Sequence, residues 1–250
     1  MLRAMSSHET AVDRLQAMIP RQGWIYRDAH YLVCDMEIDP AAARRWVPRR
    51  LGLAEPARAS IFLAYFPDNT FKSVYREAGL LLHVKHWGTS AVFSPWMLVD
   101  DDVALIVGRE LLGYPKKLGE IAWSLDGDRI SSVATRRGAE LVRMSGTLGE
   151  VLRDPPPMLG RPHRNVRSTL GFAIPRMIAF TPREEIIEAR RANLEVTIGG
   201  SERDPLHELG FGRVLSSTLY RVNLGGTLPP LPLGPISPLF FMRQILLRMH

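Results

Sequence analysis

The chain has a single cysteine, Cys34, among its 250 residues, so no intramolecular disulfide can form and a reducing cytoplasm is the expected location. No apolar run approaches the ~18 residues that a membrane span needs, so no membrane partner is expected. Ser6, Ser7, His8, Glu9 and Thr10 interrupt any apolar stretch of the kind a secretory leader carries. There is no Walker loop, no G-x-G-x-x-G after an apolar run and no G-x-S-x-G elbow, which argues against nucleotide chemistry and serine hydrolysis. Metal chemistry is equally unsupported. His83 and His86 are three apart in an extended segment and so face opposite ways, while His163, His207 and His250 lie in unrelated segments. No cofactor and no metal are expected.

Acids are outnumbered, 26 against 32 lysines and arginines, for a net charge of +6. Arg44-Arg45 and Arg49-Arg50 flank Trp46, Arg136-Arg137 sits at a turn, and Arg161, Arg164 and Arg167 follow a triple proline. None of these falls into a zinc-finger, helix-turn-helix or RNP-like pattern, so they read as solvated surface and no nucleic-acid partner is expected. The positive balance instead favours the approach of small anions.

Hydrophobic residues make up 46% of the chain, enough for a sizeable core. With no linker and no internal repeat, residues 1–250 read as one domain, carrying a helical extension over 1–20 and a Pro-rich tail over 226–250. Residues 7–19 form an amphipathic pattern capped by Ser7 and ended by Pro20, with Val12, Leu15, Met18 and Ile19 on one stripe. Extended segments are predicted at 24–38, 57–65, 74–86, 91–98, 103–110, 120–125, 129–135, 139–147, 184–198 and 214–224, with 184–192 equally readable as helix. Short helices are predicted at 40–47 and 240–249. Asp126-Gly127-Asp128 and Arg137-Gly138 are hairpin turns. The Pro-rich stretches 154–157 and 227–238 read as loops or connectors, and Trp87, Trp96 and Trp123 as core or pocket wall. Many strands joined by turns predict a mainly β fold, an antiparallel sheet that curls or closes, with a few short helices.

What the chain does have is a lysine pair, Lys116-Lys117, in the run GRELLGYPKKLGE at 108–120. It follows Val-Ala-Leu-Ile-Val at 103–107, whose length and β-branched content predict a buried strand. Gly113 permits a bend and Pro115 stiffens the backbone before the lysines. A lysine near a second cation or in an apolar pocket gives up its charge more easily, and a neutral amine can attack a ketone.

The run at 108–120 resembles the acetoacetate decarboxylase family, in which a glycine-arginine-glutamate run precedes an aromatic-proline-lysine-lysine-leucine-glycine turn. Lysine activation by a neighbouring cation is the mechanism associated with that family. The resemblance implies that Lys116 forms a Schiff base and that Lys117 depresses its pKa. Tyr75-Arg76-Glu77-Ala78-Gly79 resembles the family's tyrosine-x-glutamate segment and implies that Glu77 is catalytic. The likeness spans 22–225 and is strongest over 75–120. It implies a cone-like β-barrel with an internal pocket, a small keto acid as substrate and a homo-oligomer. Tyr75, Met97 and Tyr114 are candidate substrate-binding residues. Two positions depart from the family: Ala29 stands where the decarboxylases carry an arginine, and Ile61 or Phe62 where they carry a second glutamate. Arg27, two residues from Ala29 on one strand, is the candidate replacement. The expected activity is decarboxylation of a β-keto acid through a lysine imine. The alternatives are imine-dependent aldol or dehydration chemistry on pyruvate-like acids, and a non-catalytic β-barrel that binds a small ligand.

Overall fold

Four apolar stretches, residues 31–34, 61–66, 78–84 and 91–99, lack the in-out alternation of a half-exposed strand because both of their faces are covered. They lie in neighbouring strands at the middle of one sheet, and their two faces belong to two separate apolar clusters. Leu32, Cys34, Ile61, Leu63, Leu80 and Leu82 face one cluster. Tyr31, Val33, Phe62, Ala64, Leu81 and Met97 face the other. The second cluster walls the candidate site.

The structure, a computed structural model, describes residues 24–168, 174–226 and 230–249. The helix expected over 7–19 lies outside the described residues. The strands are β1 (Ile25–Ile38), β2 (Gly52–Leu53), β3 (Arg58–Phe66), β4 (Asp68–Asn69), β5 (Tyr75–His86), β6 (Thr89–Val99), β7 (Lys116–Leu118) and β8 (Glu120–Asp126). They continue with β9 (Arg129–Arg136), β10 (Ala139–Val151), β11 (His163–Ser168), β12 (Pro175–Phe180), β13 (Arg183–Ile198), β14 (Phe211–Gly225) and β15 (Leu231–Pro235). The helices are α1 (Pro40–Arg44), α2 (Asp102–Leu112) and α3 (Pro238–Met249), with a 3-10 turn at Leu206–Leu209.

All 15 described strands join one sheet, ordered β15-β12-β11-β6-β5-β3-β1-β14-β13-β10-β9-β8, with β2, β4 and β7 added at its sides. Neighbours are antiparallel except where β6 meets β7 and β11, which run parallel to it. The sheet curls until β8 and β9 lie against β5 and β3. The curled antiparallel sheet predicted from sequence is therefore present, but it is not a closed barrel: among the described residues the terminal strands β15 and β8 do not pair.

Three local expectations fail for identifiable reasons. Residues 103–107 are the first half of helix α2, not a strand. Asp101 caps that helix through its side chain on the Ala104 N–H, and Gly113 ends it at φ 64°. Only Ala104, Gly108 and Leu112, four apart, are buried, while Val103 and Ile106 are exposed. The Pro-rich segment 227–238 contains strand β15, which pairs with β12 at the sheet edge, where prolines are tolerated. Trp87 is not core. It sits with Gly88 at the tip of the β5–β6 hairpin, both at positive φ, and is 79% exposed. The segment 184–192, open between helix and strand, is strand throughout.

Gly146 on β10 faces β13 so closely that a Cβ there would lie 1.9 Å from the Asn193 carbonyl oxygen. At Gly149 on the same strand the nearest atom would be 3.6 Å away. Gly146→Ala must push the β10 and β13 backbones apart and is expected to cost about 2–3 kcal/mol, against less than about 1 kcal/mol for Gly149→Ala. Urea unfolding of both variants checks this, and equal midpoints would contradict it.

Candidate functional site

The second apolar cluster encloses a cavity between the inner faces of β1, β3, β5 and β6 and the helix α2. Its aromatic wall is built from Trp24, Tyr26, Tyr31, Phe62, Phe66, Tyr75, Tyr114 and Phe180. Water-sized molecules can place their centres in about 60 Å³ of it. That is room for a handful of waters or one small organic molecule. Among the described residues two charged side chains line it, Glu77 and Lys116.

Those two are paired. Lys116 Nζ donates to Glu77 Oε2 at 2.6 Å, and both residues are 5% exposed. Strand geometry brings them together, because β7 runs parallel to β6 with Met97 beside Lys116, and Glu77 on β5 faces Val99 across the other edge of β6. The ammonium also lies 5.5 Å from the centre of the Tyr75 ring. A glycine makes room for this side chain. A Cβ on Gly108 would fall 2.6 Å from Lys116 Cδ, 2.5 Å from Cε and 3.0 Å from Nζ, so Lys116 crosses helix α2 where that helix has no side chain.

Lys117 points the other way, as the two-residue strand period requires. Its ammonium is buried against Asp204 Oδ1 and donates to the Leu247 carbonyl of α3 at 3.0 Å. Asp204 also accepts from Trp96 Nε1 at 2.8 Å and from Arg136 Nη1 at 2.9 Å. Burial pushes the Lys117 pKa down, with Arg136 and Arg248 adding and Asp204 opposing. Burial pushes the Asp204 carboxyl up, but the hydrogen bonds from Lys117, Trp96 and Arg136 and the Lys117 charge outweigh it, and the net direction is down. The expectation that two ammonium groups stand side by side is not met, since each lysine has its own compartment and its own carboxylate.

Four tyrosines, Tyr26, Tyr31, Tyr75 and Tyr114, surround Glu77. Burial raises all four hydroxyl pKa values, with the Glu77 charge adding in each case, so the phenols stay protonated donors. Tyr114 Oη lies 3.2 Å from His163 Nδ1, and the other ring nitrogen of His163 lies 3.3 Å from the Leu159 carbonyl. Burial of His163 pushes its pKa down to about 3, with Arg161 and Arg164 adding and the Leu159 bond opposing. Its ring is therefore neutral, donating to Leu159 and accepting from Tyr114. The loop bearing Leu159 is held from the other side as well. Glu184 accepts the backbone N–H groups of Met158 at 3.0 Å, Leu159 at 2.8 Å and Gly160.

Of the residues singled out in the sequence, Lys116, Glu77, Tyr75, Met97 and Tyr114 all line the cavity. Arg27 does not. Its side chain is 56% exposed and pairs with Asp68 at 3.1 Å. The reason is a bulge: Asp28 takes φ 51° and the β1–β14 register slips between Tyr26 and Ala29. The extra residue shifts the alternation, so Tyr26 and Ala29 face inward and Arg27 outward. Ala29 belongs to the cavity-side cluster, as does Phe62, whereas Ile61 faces the opposite cluster. Tyr26, Tyr31, Leu159, Phe180 and the supporting His163, Glu184 and Asp204 carry no local signal in the sequence. Only the inward alternation along β1 could have picked out Tyr31. Among the described residues no three His, Cys, Asp or Glu side chains gather as a metal site, and no helix is long and apolar enough to cross a membrane.

A curled antiparallel sheet around an apolar cavity, with one buried lysine-carboxylate pair inside among the described residues, is the arrangement this chain presents. The family model of acetoacetate decarboxylase matches residues 7–228, and the chain belongs to that family. It is 29% identical over 139 residues to acetoacetate decarboxylase 1 of Mesorhizobium japonicum, covering 56% of this chain and 55% of that protein. It is 30% identical over 149 residues to the acetoacetate decarboxylase of Clostridium beijerinckii, covering 60% and 59%. The chain thus spans less than two thirds of the length of the curated relatives it matches. Among solved structures, the acetoacetate decarboxylase of Legionella pneumophila superposes with a TM-score of 0.72 at 16% identity, over 87% of this chain and 88% of that one. The enduracididine biosynthesis enzyme MppR, complexed with the condensation product of pyruvate and imidazole 4-carboxaldehyde, superposes with a TM-score of 0.72 at 21% identity, over 87% and 91%. At these identities the structural likeness is one of fold.

Because the folded His163 titrates at about 3 against an ordinary 6.5, the unfolded chain binds the extra proton between those values. Stability from this residue is complete above about pH 6.5 and is lost on acidification at up to ~1.4 kcal/mol per pH unit. Burial pushes His83 to about 4, in the same sense. Urea midpoints are expected to fall from pH 7 to pH 5, and His163→Gln to flatten that fall. An unchanged slope in the variant would refute the assignment.

Proposed function

We propose that the protein is a lyase that removes CO2 from a small β-keto acid through an imine on Lys116. The observation that carries this reading is the buried Lys116–Glu77 pair at 2.6 Å in a cavity with no other charged group among the described residues. Glu77, in contact with the ammonium, is placed to take its proton and free the amine as nucleophile. The amine nitrogen adds to the substrate ketone. The carbinolamine then loses its hydroxyl as water, with the proton supplied by Glu77, and a protonated imine remains. The bond to the β-carboxylate breaks, CO2 departs, and the electron pair is taken up by the imine nitrogen to give an enamine. Protonation of the enamine carbon and hydrolysis release the ketone and restore Lys116.

Among the described residues no arginine lines the cavity, so the imine nitrogen is the positive centre that receives the electron pair. A second reading keeps the imine and joins a pyruvate-like acid to an aldehyde. It is favoured by the uncharged Ala29 and Phe62 on the cavity side and by the condensation product bound in MppR. Glu77 would then move the proton at the carbon next to the imine. A homo-oligomeric assembly belongs to the proposal as well.

Borohydride reduction in the presence of acetoacetate, or of pyruvate, followed by peptide mass analysis, tests the common step. A reduced adduct on Lys116 is expected, and CO2 release with acetoacetate separates the first reading from the second. No adduct with either acid would leave a ligand-binding protein. Lys117→Ala is expected to lower stability by roughly 3 kcal/mol, by breaking a buried pair, while the adduct on Lys116 still forms.

Gly108→Ala is the complementary variant. The added methyl meets Lys116 at 2.5–3.0 Å and must push the amine away from Glu77, while alanine favours the helix by about 1 kcal/mol. Adduct formation is expected to slow at least tenfold with no fall in melting temperature. Wild-type rates would show that this gap does not position the amine.

A further inference from the structure

Five arginines line a groove of about 680 Å³ on the face of the molecule formed by α1, the loop after it, the end of β15 and the start of α3. Arg44, Arg45, Arg49 and Arg50 come from the first two segments, and Arg243 comes from α3. No aspartate or glutamate lines it among the described residues, and Pro48, Ile236, Leu239 and Phe240 give it an apolar floor. In the sequence these arginines read as solvated surface.

Their placement is built rather than splayed. Arg44 donates to the carbonyls of Leu51 at 2.5 Å, Val47 at 2.9 Å and Pro48 at 2.8 Å, which ties down the loop that presents Arg49 and Arg50. Arg50 is laid over β15: a Cβ on Gly234 would fall 2.8 Å from its Nη1. Arg45, Arg49, Arg50 and Arg243 have no ion-pair partner among the described residues. The carboxylates stand at adjoining recesses: Glu208 at one that it shares with Arg45 and Arg243, and Glu37 and Glu55 at another that Arg44 lines.

We infer that this groove binds a small molecule carrying a diphosphate. Several guanidinium groups converging from separate segments suit an anion with two or more charged oxygen clusters, each able to accept a paired set of N–H bonds. A monocarboxylate offers only one such cluster. The apolar floor gives the uncharged portion of the ligand a surface to lie on, as a nucleoside diphosphate requires. The groove is lined by none of the residues of the Lys116 cavity, so this inference does not depend on the imine chemistry.

Calorimetric titration of the full chain at low ionic strength with pyrophosphate, and separately with ADP, tests it. Saturable binding with one site per chain is expected for both, weakened at least tenfold in the double variant Arg49→Ala/Arg243→Ala and by raised salt. Arg137→Ala, an exposed arginine on the β9–β10 turn, is expected to bind as the wild type does. No saturable binding of either probe would overturn the inference, as would an Arg137→Ala loss equal to that of the double variant. If a second copy covers the groove instead, neither probe binds, and Arg49→Glu/Arg243→Glu lowers the mass in solution; that result also overturns it.

Discussion

Burying an ammonium group costs several kcal/mol unless a counter-charge and further hydrogen bonds meet it, and this sheet buries two on consecutive residues. The strand period sends them to opposite faces, so two carboxylates are needed, one on each side. Glu77 answers Lys116 in the apolar cavity and Asp204 answers Lys117 on the other face. The Lys117 side is richly satisfied: Asp204 also holds Trp96 and Arg136, and the end of α3 supplies a carbonyl. Among the described residues Lys116 meets one carboxylate and an aromatic face. The contrast leaves Lys117 with its donors engaged by protein groups, while Lys116 faces the cavity.

That division depends on how β7 is delivered. Helix α2 begins at Asp101, ends at the left-handed Gly113, and hands the chain through Tyr114 and Pro115 directly into the strand that carries both lysines. Gly108 lies one turn back on the same helix, under the Lys116 side chain. The helix therefore both aims the lysine and clears its path. Gly113 has its own constraint: a Cβ there would come within 2.9 Å of the Val166 carbonyl oxygen, so the turn also packs tightly on β11.

The sheet is legible in the sequence wherever a physical signal is local. Alternation and Asp-Gly or Arg-Gly turns mark β8, β9 and β10, and the doubly buried runs mark the central strands. Helix α2 reads as a strand because its β-branched content outweighs the acidic cap before it and the glycine after it, although caps fix a helix end more directly than propensity does. The lysine, the glutamate and two wall residues, Tyr75 and Tyr114, are found through motifs, and Met97 through its place on the strand before the lysine turn. Tyr26, Leu159, His163 and Asp204 arrive from distant segments through pairing that no short window records. The bond from Lys117 to the Leu247 carbonyl joins residues 130 apart in sequence, and the one to Asp204 residues 87 apart.

The bulge at Asp28 shows how one backbone irregularity sets the electrostatics of a site. Simple alternation would place Arg27 and Ala29 on one face and bring a guanidinium to the cavity. With Asp28 at positive φ, anchored by its N–H to Asn223 Oδ1 at 3.1 Å and by its carboxylate to Arg221 at 2.9 Å, the phase shifts and Arg27 turns to Asp68 in solvent. Among the described residues the cavity of this chain of net charge +6 thus keeps one cation and one anion, and it is the bulge, not the composition, that decides Arg27 is not a third charge there.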